Sequence, residues 1–381
     1  MKIPKDMPIL NTGKGNIVLF HPHIAKNGNT YVSDTLASRW IGQGPKVEKF
    51  EQMFSEMFSP NYSPVSVGSG TDALHLSYIL AGLQPGDEVI VPVFTCTATN
   101  IPFLYMGVKV IFADIQEHTL NIDPSHVEQL INERTKAIVC VHYGGLPCDM
   151  DELANIANKW GIPIIEDAAH ALGAKYKGRH VGSISDFTMF SFQAIKHITT
   201  GDGGMVLLRD PQLREKAMRI RWFGIDRGDK QKGVWENDIR EIGYKYQMTD
   251  ISAALGIAAL EEFDEILEKR QTLFNIYESK LAGIPGVKFI GGGFTDREHA
   301  AWLSTIVVEN RYDLQKKLRS VNIESNQVHF RNDRYSIFCN EKLQLPVMDK
   351  LEDIRDIQVK VDNGRPVRLR QIAQVGYGNE I

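Results

Sequence analysis

The side chains best suited to chemistry begin with one amine. Lys196 lies in Ser191–Gly204, SFQAIKHITTGDGG, five residues after the hydroxyl of Ser191. An apolar run, Phe187 to Phe192, precedes it. The Gly201-Asp202-Gly203-Gly204 turn and a second apolar run, Met205 to Leu208, follow. The lysine therefore reads as lying on a tight loop between two strands, where a rigid scaffold can present an imine-forming amine. Most lysines are solvated surface groups, so the loop alone does not assign the chemistry. Two further stretches narrow it. Ser69-Gly70-Thr71 opens a helical stretch, and its free N–H groups, the Thr71 hydroxyl and the helix dipole suit a phosphate. Ser191 can add a hydroxyl to the same anion. Asp167 closes the apolar run that starts at Ile162, so its carboxylate lies near the interior and needs a cationic or protonated partner. An amine for an aldehyde, a helix start for a phosphate and a carboxylate for a protonated ring nitrogen match the three handles of pyridoxal 5′-phosphate.

These residues need a frame that brings them together. Short apolar runs supply it: Val65–Val67, Val89–Phe94, Val108–Phe112, Ala137–Val141, Ile162–Asp167, Phe187–Phe192 and Met205–Leu208. Helical stretches separate most of them, including Asp72 to Ala81 with Thr71 as its expected N-cap, Thr97 to Tyr105, Ser125 to Ile131 and Asp151 to Trp160. Alternating runs of this kind predict an α/β fold, with a mostly parallel seven-stranded sheet flanked by helices. Ligands in such sheets bind at the carboxyl ends of the strands, which places Gly68–Thr71, Asp167 and Lys196 near one rim. Before the sheet, residues 1–48 read as mixed and extended at the start. From Pro45 a stripe of Val47, Phe50, Phe54, Met57 and Phe58 reads as core packing. After Leu208, Arg214 to Arg221 reads as a helix and Phe223 to Trp235 as a polar loop. One long helix is expected from Thr249 to about Leu281, then a strand from Trp302 to Val308 and a helix from Tyr312 to Arg319. A domain boundary is expected near 250–285.

Composition bounds the function. The chain has 381 residues, and its net charge of −4 makes no case for nucleic acid or an anionic membrane as partner. Cys96, Cys140, Cys148 and Cys339 have no C-x-x-C spacing and read as reduced thiols of a cytoplasmic protein, with no metal site. No apolar run approaches the roughly 18 residues of a membrane span.

On these pieces the sequence resembles the sugar aminotransferases of the DegT/DnrJ/EryC1/StrS family, within the fold-type-I pyridoxal-phosphate enzymes. The likeness runs over about residues 15–350. It rests on WIGQGPKV (40–47), VGSGTDALHL (67–76), GDEVIVPVFT (86–95), IIEDAAHALGA (164–174), Ser191–Gly204 and GYKYQMTDISAAL (243–255). The resemblance implies a large cofactor-binding domain over 1–250, a smaller α+β domain over 251–353, and an atypical tail over 354–381. It implies that Lys196 holds pyridoxal 5′-phosphate through an imine and shuttles the proton. Asp167 would pair with the pyridine nitrogen, and His170 would lie near the ring and its hydroxyl. Gly70, Thr71 and Ser191 would bind the phosphate. Lys245, where many relatives carry Asn, would reach the phosphate of a neighbouring subunit, so the working unit would be a homodimer. The implied activity is amino transfer from L-glutamate to a nucleotide-linked keto sugar, a 4-keto-6-deoxyhexose, in amino-sugar and polysaccharide biosynthesis. Sugar 3-dehydratases of the same family use pyridoxamine phosphate with His in place of this lysine. Lys196 argues against that activity, although His197 is adjacent. A non-catalytic, cofactor-binding relative is the third reading.

Two features depart from the family pattern. Cys96 stands where most relatives have an aromatic residue on the cofactor ring. Either Cys96 makes a slimmer contact, or other groups hold the ring, or Cys96 is an inert buried thiol. After about Leu351 the chain changes, and Ile357, Val359 and Val361 alternate before Asp362-Asn363-Gly364, a hairpin pattern. Three other stretches stay open. His329–Asp333 reads as a substrate contact or a solvated loop. His142–Gly145 is a turn at the rim with or without ligand contact. His197 reads as facing outward.

Overall fold

A computed structural model describes residues 15–353 apart from Asn237, and the expected hairpin in 354–381 lies outside them. The first described elements are α1 (Gly28–Ser38), α2 (Pro45–Phe58), β1 (Ser63–Val67), α3 (Gly70–Leu80) and β2 (Glu88–Pro92). Then come β3 (Phe94–Thr95), α4 (Thr97–Met106), β4 (Lys109–Ala113), α5 (Pro124–Leu130), β5 (Thr135–Val141), α6 (Met150–Trp160) and β6 (Ile164–Asp167). The short β7 (Lys175–Tyr176) and β8 (Arg179–His180) lead to β9 (Phe187–Ser191) and β10 (Gly204–Leu208), which flank the lysine loop. The remainder holds α7 (Leu213–Ile220), α8 (Arg227–Gln231), α9 (Asp250–Glu261), α10 (Phe263–Leu281), β11 (Val287–Ile290) and β12 (Arg297–Glu298). It ends with β13 (Thr305–Val308), α11 (Arg311–Ser320), β14 (Phe330–Arg331) and α12 (Pro346–Asp353).

The seven apolar runs form one sheet in the order β1-β10-β9-β6-β5-β2-β4. Strands β9, β6, β5, β2 and β4 pair in parallel, while β10 is antiparallel to both β9 and β1. The exception follows from the connection: residues 192–203 form a loop with no crossover helix, so β10 must return beside β9. The α2 stripe is core, as expected. Phe54 packs edge-on against Phe190 and Phe192 at 5.3 and 5.6 Å between ring centroids. Full burial of such a ring stabilises the fold by roughly 1.5–3 kcal/mol.

Four local expectations are corrected. Ser69, not Thr71, caps α3, its hydroxyl accepting from Asp72 N–H at 3.0 Å, and Thr71 falls in the first turn. Residues 28–38 form α1, which carries no regular apolar stripe because only Gly28 and Thr35 are buried. The long helix after Thr249 is two helices. The backbone departs from helix at Glu262, whose carboxylate takes the Lys26 N–H at 2.9 Å and the His23 ring at 3.1 Å. The loop after Phe223 contains α8, capped by Asp226.

The chain's later part returns to the sheet rim. β14 pairs with β3, and Asn332 donates to the Thr95 carbonyl at 2.7 Å. Asp114, just past β4, accepts the Val347 and Met348 N–H groups at the start of α12, at 2.8 and 3.0 Å. Buried Arg331 joins this clip through both oxygens of Asp333, at 2.6 Å each, and through Asp349. Among the described residues no helix is long and apolar enough to cross a membrane, and no cluster of His, Cys, Asp and Glu could hold a metal ion.

Candidate active site

Sheet register brings the predicted residues to one rim. Val67, Gly204 and Ser191 lie side by side across β1, β10 and β9, and Asp167 at the end of β6 pairs with Met189. The turn after Val67 leads straight into α3. A Cβ on Gly70 would stand 2.9 Å from the Ser191 Cβ and 3.0 Å from its Oγ. A Cβ on Gly204 would stand 2.4 Å from the Ser69 carbonyl oxygen. Glycine at both positions lets the start of α3 approach the end of β9 closely, which brings Gly70, Thr71 and Ser191 together at a helix N-terminus suited to an anion.

Asp167 is buried beside this cradle. Its Oδ2 accepts from the Thr99 hydroxyl at 2.7 Å and its Oδ1 from the Ala169 N–H at 3.1 Å. The Thr95 and Thr99 hydroxyls are 2.9 Å apart, so Thr95 can supply the hydrogen while Thr99 donates to the carboxylate. Burial raises the Asp167 pKa above the ordinary 3.8, against the pull of Thr99, the Ala169 N–H and the charges of Lys196 and His142. Lys196 is pushed the other way, from 10.5 down to about 8, because burial disfavours its cation, while Asp167 and Cys96 oppose that fall. An amine whose cation is disfavoured, near a carboxyl whose anion is disfavoured, marks a candidate site for proton transfer.

The His170 ring lies 3.8 Å from Trp302 and 5.3 Å from His329 between centroids, nearly parallel to both. Its Nδ1 is buried with no partner among the described residues, as is His329 Nε2. Burial, then the charge of Lys196, holds both rings well below the ordinary histidine pKa, so both are neutral. Trp302 and His329 come from far along the chain, and Trp302 was not among the predicted site residues. Its only sequence signal was an aromatic at the start of an apolar run. The solvated-loop reading of His329–Asp333 is corrected, because His329, Arg331, Asn332 and Asp333 are all buried.

The remaining candidates divide. Cys96 is exposed at the N-cap position of α4, so the inert buried thiol is excluded. Lys245 is exposed. Its ammonium lies 5.0 Å from the Phe223 ring centroid and 5.9 Å from that of Trp222, while the next residue, Tyr246, accepts the Gly68 N–H at 2.7 Å. His142 is buried with both ring nitrogens engaged: Nε2 lies 2.8 Å from Glu166, and Nδ1 accepts the Cys148 N–H at 3.0 Å. Its role is in the turn and leaves no nitrogen for a ligand. His197 faces inward rather than outward, its Nε2–H donating to the Ala300 carbonyl at 2.7 Å.

The donor set fits pyridoxal phosphate on three features of this chain: the cradle that a Cβ at Gly70 would fill, a buried carboxylate held by neutral donors, and an orphaned imidazole nitrogen on a ring that packs against Trp302, as the amine does.

Comparisons with known proteins bear on the chain and its fold. A model of the DegT/DnrJ/EryC1/StrS aminotransferase family matches residues 22–353. The GDP-perosamine synthase of Escherichia coli O157:H7 is 34% identical over 339 residues, covering 88% of this chain and 90% of that protein. The spore coat polysaccharide biosynthesis protein SpsC of Bacillus subtilis is 39% identical over 270 residues, 70% of this chain and 69% of its own. Among solved structures, AtS13 from Actinomadura melliaura superposes with a TM-score of 0.84 at 36% identity, covering 90% of this chain and 93% of its own.

Proposed function

Because this chain belongs to the DegT/DnrJ/EryC1/StrS aminotransferase family, we propose that it moves an amino group from L-glutamate to the carbonyl of a nucleotide-linked keto sugar, with a 4-keto-6-deoxyhexose as the sugar. The observation that carries the reading is Lys196 on the same rim as Asp167 and the Gly70–Ser191 cradle. Pyridoxal 5′-phosphate, when bound, supplies an aldehyde that takes the amino group and a ring that accepts the electron pair of the deprotonated carbon. Gly70, Thr71 and Ser191 hold its phosphate by N–H and hydroxyl donation. Asp167 would pair with its ring nitrogen and so recover the cost of its own burial. His170, neutral and with Nδ1 unpartnered, would lie near the ring, and Cys96 would border the same space.

Lys196 is the acid–base group. With its pKa near 8, Nζ has an appreciable free-base fraction at neutral pH, so it can take the proton from the carbon bearing the amino group and return it on the other side of the nitrogen. In the first half glutamate leaves as 2-oxoglutarate. In the second the sugar's carbonyl oxygen leaves as water and its carbon gains the amine. Lysine rather than histidine at 196 favours this course over sugar 3-dehydration. The dimer belongs to the same reading. Phe223, whose ring lies 5.0 Å from the Lys245 ammonium, is exposed, as are Val234, Trp235, Ile239 and Ile242 in the stretch that leads to Lys245, with Trp235 at 75% and Ile242 at 81%. An apolar patch of that kind suits a second copy, across which Lys245 would meet the partner's phosphate. The large and small domains are divided near residue 250 on this reading.

The test is incubation of the purified chain with pyridoxal phosphate, L-glutamate and a panel of keto sugar nucleotides, read by mass spectrometry. Amino sugar and 2-oxoglutarate are expected in equal amounts, and Lys196→Ala should yield neither. A deoxygenated sugar would replace the proposal with the dehydratase. A chain that takes up the cofactor but forms no 2-oxoglutarate from glutamate would replace it with the non-catalytic, cofactor-binding reading.

A further inference from the structure

The stretch Ala300–Leu303 is neither helix nor strand, yet it is buried and bonded on several sides. The Ala300 N–H donates to the Gly145 carbonyl at 2.9 Å, and the Leu303 N–H to the Gly144 carbonyl at 3.0 Å. Between them Ala301 is held at φ 55°, left-handed for a residue with a Cβ. Such a conformation costs on the order of 1–2 kcal/mol and persists only where the surroundings impose it. The Ala301 N–H is satisfied by the His299 ring at 2.7 Å.

This strap meets the lysine loop at three consecutive positions. The Trp302 indole N–H donates to the Ile195 carbonyl at 3.0 Å. The Lys196 ammonium lies 3.9 Å from the centroid of the Trp302 ring. The His197 ring donates to the Ala300 carbonyl at 2.7 Å. Phe20, stacked on Trp302 at 5.6 Å, and His170 at 3.8 Å keep the indole from rotating away. The strained Ala301 thus has a consequence: it aims an aromatic face at the one amine on which the chemistry depends.

We propose that Trp302 is a positioning residue for Lys196, its indole face holding the amine and its N–H fixing the backbone one residue before it. The inference rests on Lys196 being the acid–base amine of the proposed reaction. Whenever Lys196 is not bonded to the cofactor, Nζ must carry a proton without swinging into the cavity. An aromatic face attracts an ammonium by its quadrupole and holds it in place without neutralising it, as a carboxylate contact would do more strongly. The ionisable groups facing Nζ are Asp167 and Cys96, which favour its cation, and the neutral rings of His170, His329 and His197.

The measurement is the pKa of the Lys196 amine itself. The full chain, without cofactor, is labelled by trace acetic anhydride across a pH series, and Lys196 acetylation is quantified by peptide mass spectrometry. The wild-type midpoint is expected near 8. Trp302→Met keeps apolar volume but removes the ring, and its midpoint should fall by roughly one unit, a tenfold change in the amine's proton affinity. Trp302→Phe restores a ring face and should recover more than half of that shift. Should Trp302→Met not fold, Trp302→Leu removes the same ring. A midpoint unchanged without the ring, or moved equally by Met and Phe, overturns the proposal. Pyridoxal phosphate uptake by the wild type is recorded separately. A chain that gives the ring-dependent shift but takes up no cofactor keeps Trp302 in its role and loses the aminotransferase reading.

Discussion

Thr99→Val nearly conserves shape and removes one hydroxyl from a buried carboxylate, together with that hydroxyl's 2.9 Å contact to the Thr95 hydroxyl. Thr99 donates to Asp167 Oδ2 at 2.7 Å, and both residues are buried. A hydrogen bond to a charged group contributes about 1.5–3 kcal/mol, and one between neutral groups about 0.5–1.5 kcal/mol. At 1.36 kcal/mol per pKa unit, the difference amounts to about one further unit of upward shift for Asp167. Burial already holds this carboxyl above its unfolded value, with Thr99 the foremost opposing influence. A group raised in this way contributes stability that is fully present below its unfolded pKa and lost as pH rises through its folded pKa. Thr99→Val steepens that loss. The destabilisation should therefore be about 1.5–3 kcal/mol at neutral pH and shrink to about 0.5–1.5 kcal/mol once Asp167 is protonated. Urea unfolding of the cofactor-free chain, from neutral pH down to the lowest pH at which it stays folded, measures this directly. Pyridoxal phosphate affinity should fall in the same variant, and Thr99→Ser should restore both. A destabilisation equal at every pH, or one that Ser does not rescue, would show that Thr99 only fills space and would refute the argument.

Gly70→Ala should cost about 1–3 kcal/mol, the usual effect of overpacking, because its Cβ would stand 2.9 Å from the Ser191 Cβ and 3.1 Å from Met189 Cε. Thermal unfolding and cofactor titration should both register it, whereas Gly42→Ala, with nothing within 4 Å, should change neither. Arg221→Met should destabilise by about 3–5 kcal/mol, because it leaves the buried Glu51 without the guanidinium 2.9 Å away. The double variant with Glu51→Met should recover most of that loss in urea unfolding, although Arg214 also reaches Glu51, at 3.2 Å.

What was readable along the chain was whatever depends on local pattern. Seven apolar runs became seven strands because residues buried on both faces of a sheet must be apolar throughout. The α2 stripe became core for the same reason. Some misreadings come from too little pattern in the chain, and others from a deciding partner that lies far away. Helix α1 has too little apolar periodicity to announce itself, since only Gly28 and Thr35 are buried on it. The break between α9 and α10 depends on Glu262 being claimed by His23 and Lys26, more than two hundred residues earlier. His329–Asp333 looked solvated because what buries it comes from elsewhere in the chain: Asn332 is held by Thr95 and Asn100, more than two hundred residues earlier.

The sequence by itself determined the chemistry available: a loop lysine of a type that can form an imine, a carboxylate at a strand end, a glycine turn opening a helix, and a family likeness that joins them. Residue types decide which bonds can form, and those types are visible without a fold. Only the tertiary structure decided how the amine is held. The left-handed Ala301 and the turns at Gly144 and Gly145 carry Trp302 onto Lys196, although the two are more than a hundred residues apart. Contacts of that separation leave no periodicity in the chain, because nothing local selects them.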